Sequence, residues 1–256
     1  MKLTIDQIQE KACELFRTVI QILEEEHFPY VGFYGTMLGT VRHEGPIPWD
    51  SDIDIVIPEP ELERFLELMK RRLPPEYWLD YGTVDKPTRA IPRIGYTGYE
   101  TRVLHLDVFC ISGYPKARWK QFLLYKHCYL LTAARCAKTY TYTGAKRVKA
   151  GIVRALTCCT SPEYFARRIQ TLSRRYPYET AEVVGNVLDH IGGKRVYTKE
   201  EVFDSIEMPY AGFNIRIPKN YDALLRRLYG DYMQLPPESE RSAAMQRIYE
   251  VKPLEE

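Results

Sequence analysis

Asp52 and Asp54 head the run Asp52-Ile53-Asp54-Ile55-Val56-Ile57-Pro58, in which isoleucine recurs at every second position. Successive side chains of a strand point to opposite faces. Ile53, Ile55 and Ile57 therefore turn to a core, and the two carboxylates stand together on the other face. Carboxylates this close repel, and one pKa rises unless a cation lies between them. A hard divalent ion with oxygen ligands, Mg2+ or Mn2+, relieves the repulsion. A bare D-x-D serves equally as a polar strand face or a turn, so its context matters. Gly35-Thr36 forms a turn upstream. In Val103–Ile111 (VLHLDVFCI), Leu104, Leu106, Val108 and Cys110 alternate with His105, Asp107 and Phe109. Asp107 thus becomes a third strand carboxylate, and the three together are the candidate catalytic and metal-ligating set. Phosphoryl chemistry needs cations around the site. Arg42 and His43 follow the Gly-Thr turn and are the first candidates, with Arg93 on an intervening strand as another. An arginine fork suits bidentate phosphate contact, although Arg42 could equally cap a helix end and His43 could be structural. Trp49 sits beside the aspartates in a chain with 20 tyrosines. Such rings hold a quaternary ammonium by cation–π attraction, or else Tyr34, Trp49, Tyr81, Tyr96 and Tyr99 simply pack the sheet.

These residues need a framework. Thr4 and Gln7 make a capping box for a helix whose apolar residues, from Ile8 to Leu23, recur at helical spacing and which ends near His27-Phe28-Pro29. Tyr30–Tyr34 reads as a short strand, and Met37–Val41 as the start of a short helix. Thr36 lies near its N-terminus, where backbone N–H groups offer an anion site. After the aspartate strand, Pro58 and Pro60 open a helix that stops at Pro74-Pro75. Tyr77–Tyr81, Arg89–Ile94 and Val103–Ile111 read as strands. Lys116–Lys138 is a long helix, a loop covers Thr139–Gly144, and Ser161-Pro162 starts another helix. Thr198 and Glu201 make a second capping box.

Composition excludes several classes. The chain has 256 residues, 45% apolar and 27% charged, as in an ordinary globular protein. No apolar run approaches the ~20 residues of a membrane span. The N-terminus is unlike a secretory signal, so a cytoplasmic location is expected. Six cysteines fit a reducing compartment. Cys128, Cys136, Cys158 and Cys159 lack the short C-x2–4-C unit of structural zinc sites and read as buried structural thiols. A net charge of +2 hides a local bias: Val108–Pro162 contains ten Lys or Arg and no Asp or Glu. Such asymmetry points to an anionic partner: the Lys116–Arg175 region reads either as a peripheral contact with an anionic membrane surface or, equally, as a solvated basic face or oligomer contact. A nucleic-acid partner is not expected, because three carboxylates would sit beside its phosphates.

Gly35-Thr36, Leu38-Gly39, Val41-Arg42-His43 and Ile47-Pro48-Trp49-Asp50-Ser51-Asp52-Ile53-Asp54-Ile55 closely resemble the central motif of the LicD family. That family includes bacterial phosphocholine transferases and fukutin-type ribitol-phosphate transferases, with a fold like that of nucleotidyltransferases. Its usual bacterial pattern is WDDDID. Ser51 departs from it at a position that alternates away from the Asp52/Asp54 face. LDVFCISGYP is similar to the family's IDIFPLDG-like segment, which carries the third metal carboxylate onto Asp107. The second aspartate of that segment has no counterpart here. Tyr210–Pro218 resembles the family's hairpin. Tyr229-Gly230-Asp231-Tyr232-Met233-Gln234-Leu235-Pro236-Pro237 resembles its YGDYM-x-LPP end, so Tyr229 and Asp231 join the candidate binding residues. Ser242-Ala243-Ala244 stands where many relatives have paired histidines.

The resemblance implies an α+β fold, a nucleotidyltransferase-like mixed sheet flanked by helices with a mainly helical basic insertion. It implies one catalytic domain over 1–256, with an N-terminal helix (1–28), a core sheet with the site (30–115), a basic helical region (116–195) and a C-terminal motif region (196–256). It further implies transfer of a phospho-alcohol, phosphocholine first, from a CDP-activated donor such as CDP-choline to a glycan hydroxyl, commonly lipid-linked, with release of CMP. Asp107 is the first choice for accepting the hydroxyl proton. A nucleotidyltransferase moving NMP from an NTP is the alternative, with pyrophosphate as the distinguishing product.

Overall fold

The computed structural model describes residues 2–83, 87, 89–97, 104–188, 195–246 and 249–250. In chain order the elements are β1 (Lys2–Leu3), α1 (Ile5–Glu25), β2 (Val31–Gly32), α2 (Tyr34–His43), β3 (Ile53–Pro58), α3 (Leu62–Arg72), β4 (Tyr77–Asp80), β5 (Arg93–Tyr96), β6 (His105–Tyr114), α4 (Arg118–Thr139), α5 (Gly144–Leu156), α6 (Pro162–Ser173), β7 (Val183–Gly185), β8 (Val196–Tyr197), α7 (Lys199–Phe203), β9 (Ser205–Tyr210), β10 (Phe213–Pro218), α8 (Tyr221–Tyr229), α9 (Glu238–Met245) and β11 (Tyr249–Glu250). This is a mixed α/β fold with helices flanking a sheet. The chain divides into two compact units, one of residues 1–79, 92–109 and 199–256, the other of 80–91 and 110–198.

In the first unit the strand order is β2-β3-β6-β5-β4. The β2–β3 pair is antiparallel, with Gly32 opposite Ile55, and β5–β6 is antiparallel, with Arg93 opposite Asp107. As the alternation required, Ile53, Ile55 and Ile57 are buried. Helix α1 begins with both bonds of the Thr4/Gln7 capping box and buries Ile8, Leu15, Phe16 and Val19. Phe16 meets Tyr210 and Phe213 edge-to-face, which seats the β9–β10 hairpin on α1. The hairpin turns through Ala211 and Gly212, both at positive φ, the twist-compatible arrangement for two-residue turns. Tyr30 donates to Glu24 at 2.7 Å, and Arg216 of β10 pairs with the same carboxylate.

In the second unit the far half of β6 pairs with β7, Ser112 opposite Gly185, and β7 pairs with β8. Its core joins Tyr114, Leu124, Cys128, Ile169, Leu172 and Val187. Ser161 caps α6 by accepting from the Tyr164 N–H. All six cysteines are free thiols, but of the four expected to be buried only Cys128 is: Cys136 is half-buried, and Cys158 and Cys159 are exposed where the chain leaves α5.

Several boundaries differ from the sequence reading. The Tyr30–Tyr34 strand is only Val31–Gly32, because Tyr34 already begins α2. The Arg89–Ile94 strand is Arg93–Tyr96, shifted to where the ladder with β6 begins, and the turn from Pro58 reaches α3 only at Leu62, through a 3-10 turn at Glu59–Glu61. Position 103 of the last expected strand and Tyr99 lie outside the described residues.

Gly39 sits where α2 meets the following loop. A Cβ there would lie 2.4 Å from the Gly45 carbonyl oxygen. Ala in a helix interior gains about 1 kcal/mol over Gly, but forcing atoms into a packed backbone costs roughly 1–3 kcal/mol. Gly39→Ala is therefore expected to be net destabilising, lowering Tm by about 2–4 °C per kcal/mol lost. A melting curve at or above the wild type would show that this contact can relax.

Candidate active site

The site is built on the β2–α2–β3 crossover. The Phe33 N–H donates to the Asp54 carbonyl at 3.2 Å, and the Phe33 carbonyl accepts from the N–H groups of Thr36 and Met37. Between them Tyr34 has φ +48°, the left-handed region that bulky side chains rarely adopt. Helix α2 thus starts at Tyr34, so Gly35-Thr36 is its first turn and not a preceding one. The Thr36 hydroxyl is buried and accepts the Asp54 N–H at 2.8 Å. That hydroxyl holds β3 in place, and two of the first-turn N–H groups read as an anion site are taken by Phe33. Gly35 has a steric role: a Cβ would lie 3.2 Å from Asp50 Oδ2, so the missing side chain lets the Asp50 carboxylate lie against the helix.

Four carboxylates result. Asp50 was not among the sequence candidates. It is fixed by a turn from its N–H to the Ile47 carbonyl and by Gln9, which donates to the carbonyls of Ile47 (2.7 Å) and Asp50 (2.6 Å). Its Oδ1 accepts the Asp52 N–H at 3.3 Å. Burial and then the Asp52 charge push its carboxyl above the usual range. Asp52 is exposed just before β3. Asp54 is raised furthest, first by burial and then by the charges of Asp107, Asp52 and Asp50, with Arg93 opposing.

Asp107 differs. Arg93, its cross-strand partner, chelates it with Nε–Oδ1 at 2.6 Å and Nη2–Oδ2 at 3.1 Å. His105 Nε2 lies 3.5 Å from the same carboxylate, and its buried Nδ1 has no partner. Burial raises the Asp107 carboxyl, but the hydrogen bond and charge of His105 and the Arg93 guanidinium outweigh it and hold it below the ordinary value. The Arg93 fork is therefore engaged with a carboxylate and does not stand open for phosphate. His105 was visible in the sequence as a neighbour on the Asp107 face, yet nothing in its spacing marked it as an Asp107 partner.

A cationic cluster lies on Trp49. The guanidinium of Arg42 is 5.5 Å and that of Arg241, on α9, 5.6 Å from its ring centroid, and His43 meets it edge-on at 5.7 Å. The ring's attraction for cations is thus met by the chain's own arginines, which argues against Trp49 as a quaternary-ammonium wall. Arg42 also donates to the Tyr232 carbonyl (2.7 Å) and to His43 Nε2 (2.9 Å). Burial, then the Arg42 charge, lowers the His43 pKa. His43 is therefore a neutral acceptor here and supplies no positive charge. In the C-terminal motif, Tyr229 ends α8 before Gly230 at φ +74°, and Asp231 is exposed. The residues that reach the cluster are Tyr232, through its carbonyl, and Arg241; the first was read only as part of the motif and neither was a candidate site residue. The YGDYM-x-LPP match placed the segment beside the site without saying which side chains turn inward.

The donor set fits a hard divalent cation: oxygen ligands only, with repulsion at Asp54 that no protein cation fully relieves. Asp52, Asp54 and Asp50 would hold it, while both oxygens of Asp107 are engaged by Arg93. Among the described residues, no three His, Cys, Asp or Glu side chains are already converged in ion-holding geometry.

Comparison with known proteins gives the class first. Residues 28–127 match the family model described as LicD/FKTN/FKRP, nucleotidyltransferase domain, a segment holding all four aspartates with Arg42, His43, Trp49, Arg93 and His105. This segment, about two fifths of the chain, is similar to that domain. The lipopolysaccharide cholinephosphotransferase LicD of Haemophilus influenzae is 26% identical over 223 residues, 81% of this chain and 83% of that protein. Among solved structures, terminal uridylyl transferase 4 of Trypanosoma brucei with bound GTP is 14% identical with a TM-score of 0.24, over 60% of this chain and 46% of that one. The chain thus spans less than half of that protein, and at this TM-score the likeness carries no argument. No described helix is long and apolar enough to cross a membrane.

A carboxylate whose folded pKa is raised binds more protons folded than unfolded, so stability falls as pH rises from the unfolded value of 3.8 toward the folded one. At neutral pH without divalent ions, Asp54→Asn removes this cost and is expected to stabilise by roughly 0.5–2 kcal/mol. Mg2+ should raise the wild-type Tm and leave the variant's unchanged. An unchanged or lower Tm for the metal-free variant would refute the repulsion at Asp54.

Thr36→Val keeps the shape but strands the Asp54 N–H, at a cost of about 1–3 kcal/mol, whereas Thr36→Ser keeps the bond. Denaturant unfolding of both should show loss of stability with lowered turnover in Val, and near-native turnover in Ser. Equal turnover in the two would remove Thr36 from the positioning role.

Proposed function

We propose that the chain is a phosphotransferase that moves a phospho-alcohol, phosphocholine first, from a CDP-activated donor to a glycan hydroxyl. The observation that carries this reading is the four-aspartate cluster inside the segment matching the LicD-family domain. It is supported by the similarity to a lipopolysaccharide cholinephosphotransferase over most of both chains. The choline preference comes from that relative's name, since Trp49 is already covered by Arg42 and Arg241.

The acceptor oxygen forms a bond to the phosphorus that carries the alcohol. The bond from that phosphorus to the bridging oxygen of the diphosphate breaks, and CMP leaves with that oxygen. The acceptor's proton passes to a carboxylate of the Asp52/Asp54 pair. Asp107 is the less available base, because Arg93 engages both its oxygens. Asp50, Asp52 and Asp54 would hold a divalent cation, which would supply charge neutralisation for the diphosphate. Arg42 and Arg241 stand on Trp49 as the fixed cations for the leaving phosphate, since catalysis of phosphoryl transfer is mainly positioning and electrostatics.

The test is release of CMP from CDP-choline, CDP-ribitol, CDP-glycerol and CDP-ethanolamine with Mg2+, comparing wild type with Asp52→Asn, Asp54→Asn and Arg42→Ala. Asp52→Asn and Asp54→Asn are expected to lose roughly 10²–10³-fold or more, and EDTA should abolish release. If no CDP-alcohol reacts and an NTP yields pyrophosphate, the chain is a nucleotidyltransferase instead.

A further inference from the structure

We propose that the outer face of α4, with the neighbouring stripe of α5, is a docking surface for an anionic lipid bilayer. Helix α4 is apolar on two opposite sides. Its inner stripe, Leu124 and Cys128 with Ala134, is buried, the first two against Ile169 and Leu172. Its outer stripe holds Trp119, Phe122, Leu123, Tyr129 and Leu130, all exposed, Trp119 at 63% and Leu130 at 65%. Helix α5 repeats the pattern with Val148, Ile152 and Leu156 at i, i+4, i+8, Leu156 being 82% exposed. Arg154 fastens α5 to the end of α4 by donating to the carbonyls of Ala137 and Tyr140 at 2.5 and 2.8 Å. Contiguous apolar exposure of this size marks an interaction site.

Charge identifies the occupant. Lys120 and Lys126 lie along the rings of Trp119 and Phe122, each 5.4 Å from the centroid. No Asp or Glu occurs between Val108 and Pro162. Trp, Phe and Leu on one face with lysines beside them is the pattern of a helix lying in a bilayer interface. A cavity of about 220 Å3 opens at the head of the stripe, where Lys120, His127 and Arg175 surround Trp119 and Leu123, which joins cations for a headgroup phosphate to apolar walls for the chains below it. A second copy of this chain would bring the same positive charges face to face, and an isologous contact offers no acid to answer them. Generic nucleic acid would answer the charge and leave the apolar stripe in water.

The test is flotation of the full chain with vesicles of phosphatidylcholine, with and without phosphatidylglycerol, in low and high salt. It uses no donor or acceptor, so its failure and the failure of the transferase reading are separate results. Expected are binding to phosphatidylglycerol vesicles at low salt, roughly tenfold or greater loss on neutral vesicles or in high salt, and quenching of tryptophan emission by brominated lipid. Trp119→Ser with Leu123→Ser, and separately Lys120→Glu with Lys126→Glu, should each lower binding about tenfold or more. These side chains are exposed, and unchanged melting would establish that the fold persists. Absence of flotation at low salt overturns the proposal. Flotation indifferent to Trp119→Ser/Leu123→Ser also overturns it, as does a stable dimer that this change dissolves, or retention on nucleic acid that it leaves unaltered.

Discussion

Asp54 is a half-buried carboxylate on a strand with three others near enough to raise its pKa, and much of the first unit is arranged to hold it there. Its own backbone carries the anchors: the N–H goes to Thr36 and the carbonyl receives Phe33. Those two bonds join the start of α2 to β3 through a Tyr34 in a strained conformation. Strain of this kind persists only where the surroundings over-determine it. Here the surroundings are the β2–β3 ladder, the Gly35–Asp50 approach and the Gln9 clamp on the loop. A protein selected for stability alone would not place four acids together. The arrangement makes sense as a site that stays incomplete until positive charge enters.

The same logic explains the arginines. Arg93, Arg42 and Arg241 are each held by the chain itself, through Asp107, through Tyr232 and His43, and through Pro236, the last two also by Trp49. A guanidinium has five N–H donors, and the two bonds of Arg42 use only Nε and one Nη1 proton. Such a group is positioned before ligand arrives and still has donors to offer. Preorganisation is what phosphoryl chemistry demands of a protein. Trp49, which a motif reading would assign to the substrate's cation, instead acts as the platform that fixes these cations.

Strand periodicity made the core of the site legible. Alternation over Asp52–Pro58 and Leu104–Cys110 set Asp54 and Asp107 opposite the buried Ile53, Ile55, Leu106 and Val108, because a period of two leaves little freedom once that apolar set is buried, whereas Asp52 lies just before β3. The start of α2 was not legible. Gly35 is a poor helix residue, yet α2 begins at Tyr34, where Phe33 and Thr36 on either side are bonded to Asp54, distant in sequence. Asp50 lay in the motif but outside the strand, so no face could be assigned to it. His105 and Arg241 depend on which side chain turns inward, something a spacing rule cannot carry. The Asp107–Arg93 pair follows from a strand register that the expected Arg89–Ile94 boundary had displaced.

The net charge of +2 sums two units of different character. In the first, negative charge is buried and held by backbone geometry. In the second, positive charge is exposed, mobile on long side chains, and laid beside apolar rings. Salt separates the two. Exposed charges are screened beyond a Debye length of about 10 Å at 0.1 M, while buried ones are screened far less. The mutual repulsion of the carboxylates around Asp54 is therefore screened less than the field of the exposed lysines. Ionic strength thus acts more strongly on the exposed lysines of α4 than on the carboxylates around Asp54.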